Sequence, residues 1–174
     1  MREITTKVYM YDELSEDVRE KVLEKMWDVN VSHEWWDFVY MDAEEIGLEI
    51  KEFDLDRGLY CRGKWIAEAK EAADKILEKH GETCETHKDA LHFKTESEQT
   101  QTKFEQNENY DSEYEEFEDS EEYETACDEF LKVLLEDYRS ILQKEYDYLT
   151  GREAIEETIR MHEWEFTEDG KIWL

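Results

Sequence analysis

The feature that most constrains the fold of this chain is a run of about thirty residues in its C-terminal half with an unbroken helical pattern. Apolar side chains recur there every three or four positions, at Tyr123, Cys127, Phe130, Leu131, Leu134, Tyr138, Ile141, Leu142 and Leu149. The chain has no proline, and no glycine interrupts this run. Because the spacing places the apolar side chains on one face, the sequence predicts a helix over 121–149, about 45 Å long.

Shorter patterns predict the remaining elements. Alternating polar and apolar residues predict strands over 4–11, 48–54, 59–66 and 162–167, with hairpins at 48–66 and at the C-terminal end. Helical spacing predicts helices over 16–28, 33–46, 67–79, 86–105 and 153–161. Ser15, Ser32 and Thr86 are the predicted N-caps, and Gly47 the residue that ends the second helix.

This order of elements predicts an α+β fold. We expect a small, mostly antiparallel sheet, made of two hairpins plus an N-terminal strand and packed with several helices, one of them long and acidic. A length of 174 residues is typical of one domain. We therefore expect a single domain over 1–174, with an N-terminal βααββα part at 1–81, a helical acidic part at 82–161 and a closing hairpin at 162–174.

The net charge restricts what the chain can bind. Lys and Arg number 21 and Asp and Glu number 50, so the formal net charge is −29. Such a charge argues against direct binding to nucleic acids or anionic membranes, because both need Lys and Arg to neutralise phosphates. Aromatic residues make up 13% of the chain, which argues for a folded domain with an acidic surface rather than for disorder.

Nearly half of this charge lies in residues 104–131, which hold 13 acids and no Lys or Arg. Tyr110, Tyr114 and Phe117 recur at helical spacing, which predicts an apolar face with carboxylates on the rest of the helix. Such a row of charges resembles the phosphates of a DNA strand. The predicted partner-binding residues are Glu108, Asp111, Glu113, Tyr114, Glu115, Glu116, Glu118, Asp119, Glu121, Glu122 and Glu124. The alternative is an ordinary solvated acidic face.

Few residues in the chain suggest a metal-binding or catalytic site. His80, Cys84, His87 and His92 lie close enough in sequence to bind zinc, but no second cysteine pair lies nearby, and a loop between helices is the favoured alternative. The sequence contains no phosphate-binding loop, nucleophile elbow or dinucleotide fingerprint. We therefore predict no catalytic residue, no metal ligand and no cofactor.

The cysteines and the N-terminus bear on location. Three widely spaced cysteines do not predict a disulfide framework. The N-terminal residues lack the apolar core of a signal peptide, and no apolar run is long enough for a membrane span. The sequence therefore predicts a protein in the cytoplasm of a bacterial host cell, where its cysteine thiols would be reduced.

Four stretches of the chain carry a resemblance to known proteins: YDELSEDVREKVLEKMWDVN, WWDFVYMDAEEIGLEIKEFDLDRGLYCRGKW, GETCET and EWEFTEDGKIWL. In these stretches the chain resembles a group of small uncharacterised acidic proteins of phages and bacterial mobile elements. It implies a bacterial mobile-element setting and transfers no catalytic residue. By charge and setting, the chain is also similar to the DNA-mimic inhibitors of restriction and CRISPR systems.

These observations lead to two main functional hypotheses, and a zinc-dependent structural or catalytic protein is a third. The first is a non-enzymatic inhibitor that blocks the nucleic-acid-binding groove of a bacterial defence protein with its acidic surface. A CRISPR effector is the first expected target and a restriction enzyme the second. The alternative is an antitoxin or adaptor that binds one protein partner through an aromatic surface. The sequence leaves the oligomeric state open, with a dimer as one option.

Overall fold

A computed structural model describes residues 5–106 and 117–173, and only the backbone of Asp119. The elements in these ranges are β1 (Val8–Met10), α1 (Glu16–Lys25), α2 (Asp37–Ile46), β2 (Leu48–Asp54), β3 (Tyr60–Trp65), α3 (Ala69–Lys79), α4 (Glu85–Glu105), α5 (Glu121–Leu149), α6 (Arg152–Met161), β4 (Glu165–Thr167) and β5 (Ile172–Trp173). Short 3-10 turns lie at Tyr11–Glu13 and Phe117–Asp119. The predicted α+β class and the long helix are confirmed.

The strands form two antiparallel sheets. One holds three strands in the order β1-β4-β5, and the other is the β2–β3 hairpin. In the hairpin Leu48 pairs with Trp65 and Asp54 with Tyr60, and the register shifts between Ile50 and Glu52. Gly63 lies opposite Ile50, where a Cβ atom would approach the Glu49 carbonyl oxygen to 2.5 Å, so the pairing needs a glycine there.

The chain divides into two compact units. The discontinuous unit comprises the chain up to Trp35 and from Lys144 onward, and the central unit comprises Trp36–Gln143. Helix α5 contributes its residues up to Gln143 to the central unit. The expectation of a single domain over 1–174 stays a prediction.

The discontinuous unit has its own apolar core. Its largest fully buried side chains are Tyr11, Phe166, Ile159 and Val22, which join α1, α6 and the three-stranded sheet. The Tyr11 hydroxyl donates to the Glu156 carboxylate at 3.1 Å. Burial first, and then this carboxylate, raise the pKa of Tyr11 to about 12.

The core of the central unit lies between the β2–β3 hairpin and helices α2 to α5. Ile46, Leu48, Ile76, Leu134 and Tyr138 are fully buried there. Phe93 of α4 stacks on Phe130 of α5, with ring centroids 4.4 Å apart. This stack packs α4 against α5.

Several predicted boundaries are wrong in instructive ways. In the described part of 4–11 only Val8–Met10 forms a strand, because the chain turns into the 3-10 turn at Tyr11. Helix α1 ends at Lys25 instead of residue 28. Helix α2 begins at Asp37, not at 33, and the Ser32 hydroxyl donates to the Val29 carbonyl instead of capping it. Gly47 ends this helix with φ 96°, as predicted.

The other two predicted caps also differ from expectation. Ser15 is the N-cap residue of α1, but its side chain makes no capping hydrogen bond. The N-cap residue of α4 is Cys84, and Thr86 lies inside the helix, 1% exposed. Thr86 is buried there because its hydroxyl has polar partners in the His80 ring and the Cys84 thiol.

Candidate acidic interaction surface

Helix α5 begins at a serine cap that follows the short turn Phe117–Asp119. The Ser120 Oγ accepts a hydrogen bond from the Tyr123 amide at 3.2 Å and donates to the Phe117 carbonyl at 2.6 Å. Phe117 and Tyr123 are buried, with ring centroids 5.2 Å apart. The cap and this aromatic pair fix the direction in which the first turns of α5 leave the core.

The opposite side of these turns is acidic. Five exposed carboxylates lie there within nine residues, and they are called the acidic face below: Glu121, Glu122, Glu124, Asp128 and Glu129. Within the described residues, none of the five has an ion-pair partner. The N-terminal end of a helix favours nearby negative charge, which offsets part of their mutual repulsion.

The acidic face borders a cleft of about 520 Å³ between α4 and α5. Helix α5 contributes Glu121, Glu122, Thr125, Ala126 and Glu129 to this cleft, and α4 contributes Glu96, Gln99, Thr100 and Lys103. Four carboxylates and one ammonium therefore line it. The cleft is open and polar, which suits contact with a charged surface better than enclosure of a small apolar ligand.

Lys70 of α3 lies beside the turn that precedes α5. Its ammonium pairs with the Glu118 carboxylate and lies 5.8 Å from the Phe117 ring centroid and 5.2 Å from that of Tyr123. The hydrogen bond from Lys70 holds the pKa of Glu118 below its usual range. Glu118 is therefore neutralised within the fold, unlike the acidic face.

The predicted site residues thus fall into three groups. Glu121, Glu122 and Glu124 lie together on the acidic face, and Glu118 lies beside it with Lys70 as partner. The turn places the Asp119 backbone next to them. Outside the described residues lie Glu108, Asp111, Glu113, Tyr114, Glu115 and Glu116, together with the helix predicted through Tyr110 and Tyr114.

Sequence reasoning missed the contribution of α4. Glu96 and Lys103 lie in a stretch whose polar residues gave no periodic signal, so nothing in the sequence placed them opposite α5. Asp128 and Glu129 were visible as part of the acidic run, but their position on the exposed side of α5 became clear only with the helix register.

The histidine and cysteine cluster has structural roles. The His80 Nδ1 lies 2.7 Å from the Thr86 hydroxyl, and the His87 Nδ1–H donates to the His80 carbonyl at 3.0 Å. The Cys84 Sγ lies 2.9 Å from the same hydroxyl, and His92 is exposed beside Glu96. Within the described ranges, no group of three or more His, Cys, Asp or Glu side chains could hold a metal ion. The cysteines Cys61, Cys84 and Cys127 are free thiols.

A carboxyl pair between α4 and α5 was not predicted. Asp137 lies within hydrogen-bonding reach of Asp89, a bond that requires a proton on one of the two carboxyl groups, and the Asp137 Oδ2 is buried without a hydrogen-bond partner among the described residues. Burial first, and then this hydrogen bond and the charges of Asp89, Glu85 and Glu136, raise the pKa of Asp137 to about 7. The pair can share one proton near neutral pH, as closely spaced carboxyl groups do.

The comparisons with known proteins do not assign a family. No family model, no curated protein and no solved structure matches this chain. Among the helices of the described ranges, none has the length and apolar character needed to span a bilayer. The resemblance to proteins of phages and mobile elements therefore stays a prediction.

Proposed function

We propose that this chain is a non-enzymatic inhibitor whose acidic surface occupies the nucleic-acid-binding groove of a bacterial defence protein. A CRISPR effector is the first candidate target and a restriction enzyme the second. One observation carries the proposal. The acidic face holds five carboxylates between Glu121 and Glu129 that have no ion-pair partner among the residues the structure describes. At 1.5 Å per residue, the mean axial spacing is about 3 Å per charge, close to the roughly 3.4 Å per phosphate of one DNA strand.

The mechanism is competition for the basic groove. The carboxylates pair with Lys and Arg side chains that otherwise contact phosphates. Helix α5 fixes the backbone positions of these carboxylates, so no backbone ordering of α5 is needed on binding. Complementary charge also speeds association, and salt weakens it. The neighbouring Glu96 extends the negative surface across the α4–α5 cleft.

The test compares two variants of equal net charge. One replaces Glu121, Glu122, Glu124 and Glu129 by Gln. The matched control replaces four other exposed glutamates by Gln, at Glu24, Glu153, Glu157 and Glu168 in the discontinuous unit. Each protein is immobilised and exposed to a lysate of bacteria that carry CRISPR and restriction systems. Bound proteins are eluted with a salt gradient, and in parallel with duplex DNA, and identified by mass spectrometry.

We expect wild type and control to retain a nucleic-acid-binding protein that is released at a few hundred millimolar salt and by DNA. We expect the acidic-face variant to lose it. Equal loss of the partner by the two variants would mean that net charge, not the position of the carboxylates on α5, drives binding. Binding by both variants at the wild-type level would contradict the proposal. A partner that resists both salt and DNA would contradict the proposal.

An exposed apolar pair on α2 keeps the adaptor hypothesis as a second candidate. Phe38 is 83% exposed and Met41 is 58% exposed, one helical turn apart. Side chains of this kind are typical of protein-binding surfaces. The same binding assay with Phe38→Ser and Met41→Ser separates the hypotheses: an adaptor loses its partner in this variant, whereas a DNA mimic keeps it.

A further inference from the structure

A second cleft of the central unit lies between the β2–β3 hairpin and the middle of α5. Its volume is about 470 Å³, and it is called the hairpin cleft below. Leu59 and Cys61 line it from the hairpin, and Leu131 and Leu135 from α5. Asp128 and Lys132 lie at its rim. It therefore combines an apolar floor with one base and two acids, the second of which is Glu136.

Leu59 combines an exposed apolar side chain with an unfavourable backbone conformation. It is 54% exposed, and its φ of 47° lies in the left-handed region, which costs free energy for any residue with a Cβ atom. The turn before it is well formed, since the Asp54 Oδ1 accepts hydrogen bonds from the amides of Asp56 at 2.8 Å and Arg57 at 3.0 Å. A strained, exposed leucine directly after a well-ordered turn suggests a contact outside the chain.

The charges at the rim indicate what that contact is. Asp128 and Lys132 are exposed, and neither has an ion-pair partner among the described residues. The next acid along the cleft, Glu136, is already held by Arg139. The rim is therefore locally neutral in a chain whose net charge is −29. A strongly basic partner finds less attraction at this rim than at the rest of the acidic face, and a second copy of the chain meets less repulsion here than there.

The positions of Asp128 and Lys132 along α5 are self-complementary. They lie one helical turn apart on α5. Around a twofold axis between two antiparallel α5 helices, Asp128 of one protomer faces Lys132 of its partner, and the reverse pair forms as well. Leu131 lies between the charged residues, next to the axis. The two Leu59 side chains are then available to cover the apolar floor of the opposite cleft.

We propose that the hairpin cleft is a twofold-symmetric homodimer interface, in which Leu59 is the apolar anchor and Asp128 and Lys132 form reciprocal ion pairs. This interface shares Asp128 with the acidic face, but dimerisation needs no target and can be measured on the purified protein alone. Dimerisation should strengthen as salt rises, since screening reduces the repulsion between two highly acidic chains. Binding to a basic target has the opposite salt dependence.

The first test uses Leu59→Asn. Asparagine tolerates the left-handed backbone, so this variant removes the anchor without adding strain. Sedimentation velocity over a concentration series should show wild type at about twice the monomer mass of 21.2 kDa. Both copies lose a leucine in the variant, so its dimer dissociation constant should rise about a hundredfold. The matched control is Leu91→Asn on α4, an equally exposed leucine (53%) outside the cleft, and it should remain dimeric.

The second test exchanges the charges. Asp128→Lys alone places two lysines opposite each other, and Lys132→Asp alone places two aspartates opposite each other, so each variant should be monomeric. An equimolar mixture of the two should form a heterodimer, and the double variant should again form a homodimer. Wild type that stays monomeric at every concentration and salt would overturn the proposal. So would a dimer that persists in both Leu59→Asn and the single charge variants.

Discussion

Individual acidic residues differ mainly in whether the fold supplies a cation. Asp12 is held by Arg160, Glu45 by Lys79 and Glu118 by Lys70. The acidic face has no such partners in the described ranges. Asp137 is a third kind of acid, because its partner Asp89 is another carboxyl group. Pairing of the first kind lowers a carboxyl pKa, whereas the Asp89–Asp137 contact raises one.

Asp137→Asn should make stability less dependent on pH. The folded state holds the Asp137 proton up to about pH 7, whereas the unfolded chain releases it near pH 4. The stability that this proton contributes is therefore complete at low pH and is lost as pH rises toward and through 7. Asparagine does not ionise and can donate to Asp89. We compare the free energy of unfolding of Asp137→Asn with that of wild type. After allowance for solvent screening, this difference should favour the variant by on the order of 1–2 kcal/mol more at pH 8 than at pH 5.

Urea unfolding between pH 5 and pH 8 measures this difference. Glu145→Gln, an exposed position on the same helix, is the control for loss of one negative charge. Its pH dependence should follow that of wild type. If the free energy of unfolding changes with pH in the same way for wild type, Asp137→Asn and Glu145→Gln, the carboxyl pair does not titrate in this range.

At the scale of the elements, the β2–β3 hairpin depends on close backbone approach. Gly63→Ala would place a Cβ atom 2.5 Å from the Glu49 carbonyl oxygen and 3.0 Å from Leu135 of α5. The strand must then shift, so we expect a loss of about 1–3 kcal/mol in the free energy of unfolding. Gly81→Ala is the matched control, since nothing lies within 4 Å of the added atom. Denaturant unfolding of both variants tests the prediction, and equal stability would contradict it.

Elements with a strong local pattern could be predicted from the sequence. The apolar stripe of α5 and the alternation of β2 and β3 each report on one buried face, and both were predicted within a residue or two. The start of α2 was missed because the Ser32 hydroxyl donates to the Val29 carbonyl oxygen and does not cap the helix. The Asp89–Asp137 pair and the Lys70–Glu118 pair were missed because each joins distant positions. Only helix packing brings them together.

At the scale of the whole molecule, net charge opposes folding. A charge of −29 on 174 residues produces self-repulsion that ion pairs between elements, such as Asp12–Arg160 and Glu45–Lys79, offset only locally. Raising sodium chloride from about 0.01 M to 0.5 M shortens the Debye length from about 30 Å to a few ångströms. We therefore expect salt to stabilise the fold by about 1 kcal/mol, which corresponds to a rise of about 2–4 °C in Tm.

Thermal unfolding followed by circular dichroism measures this effect. The variant with Gln at Glu121, Glu122, Glu124 and Glu129 should respond less to salt than wild type, because its charge is smaller. A Tm that falls with salt would mean that attractive ion pairs outweigh the repulsion.

The pairing of β1 with β4 has a consequence for synthesis on the ribosome. Tyr9 lies opposite Phe166, so an early strand completes its sheet with residues that are translated near the end of this sequence. The central unit, in contrast, is one continuous stretch whose last residue, Gln143, is translated before β4. The nascent chain can therefore complete the central unit first. The residues up to Trp35 must wait, with Tyr11 and Val22 uncovered, until the polypeptide from Lys144 onward emerges from the exit tunnel.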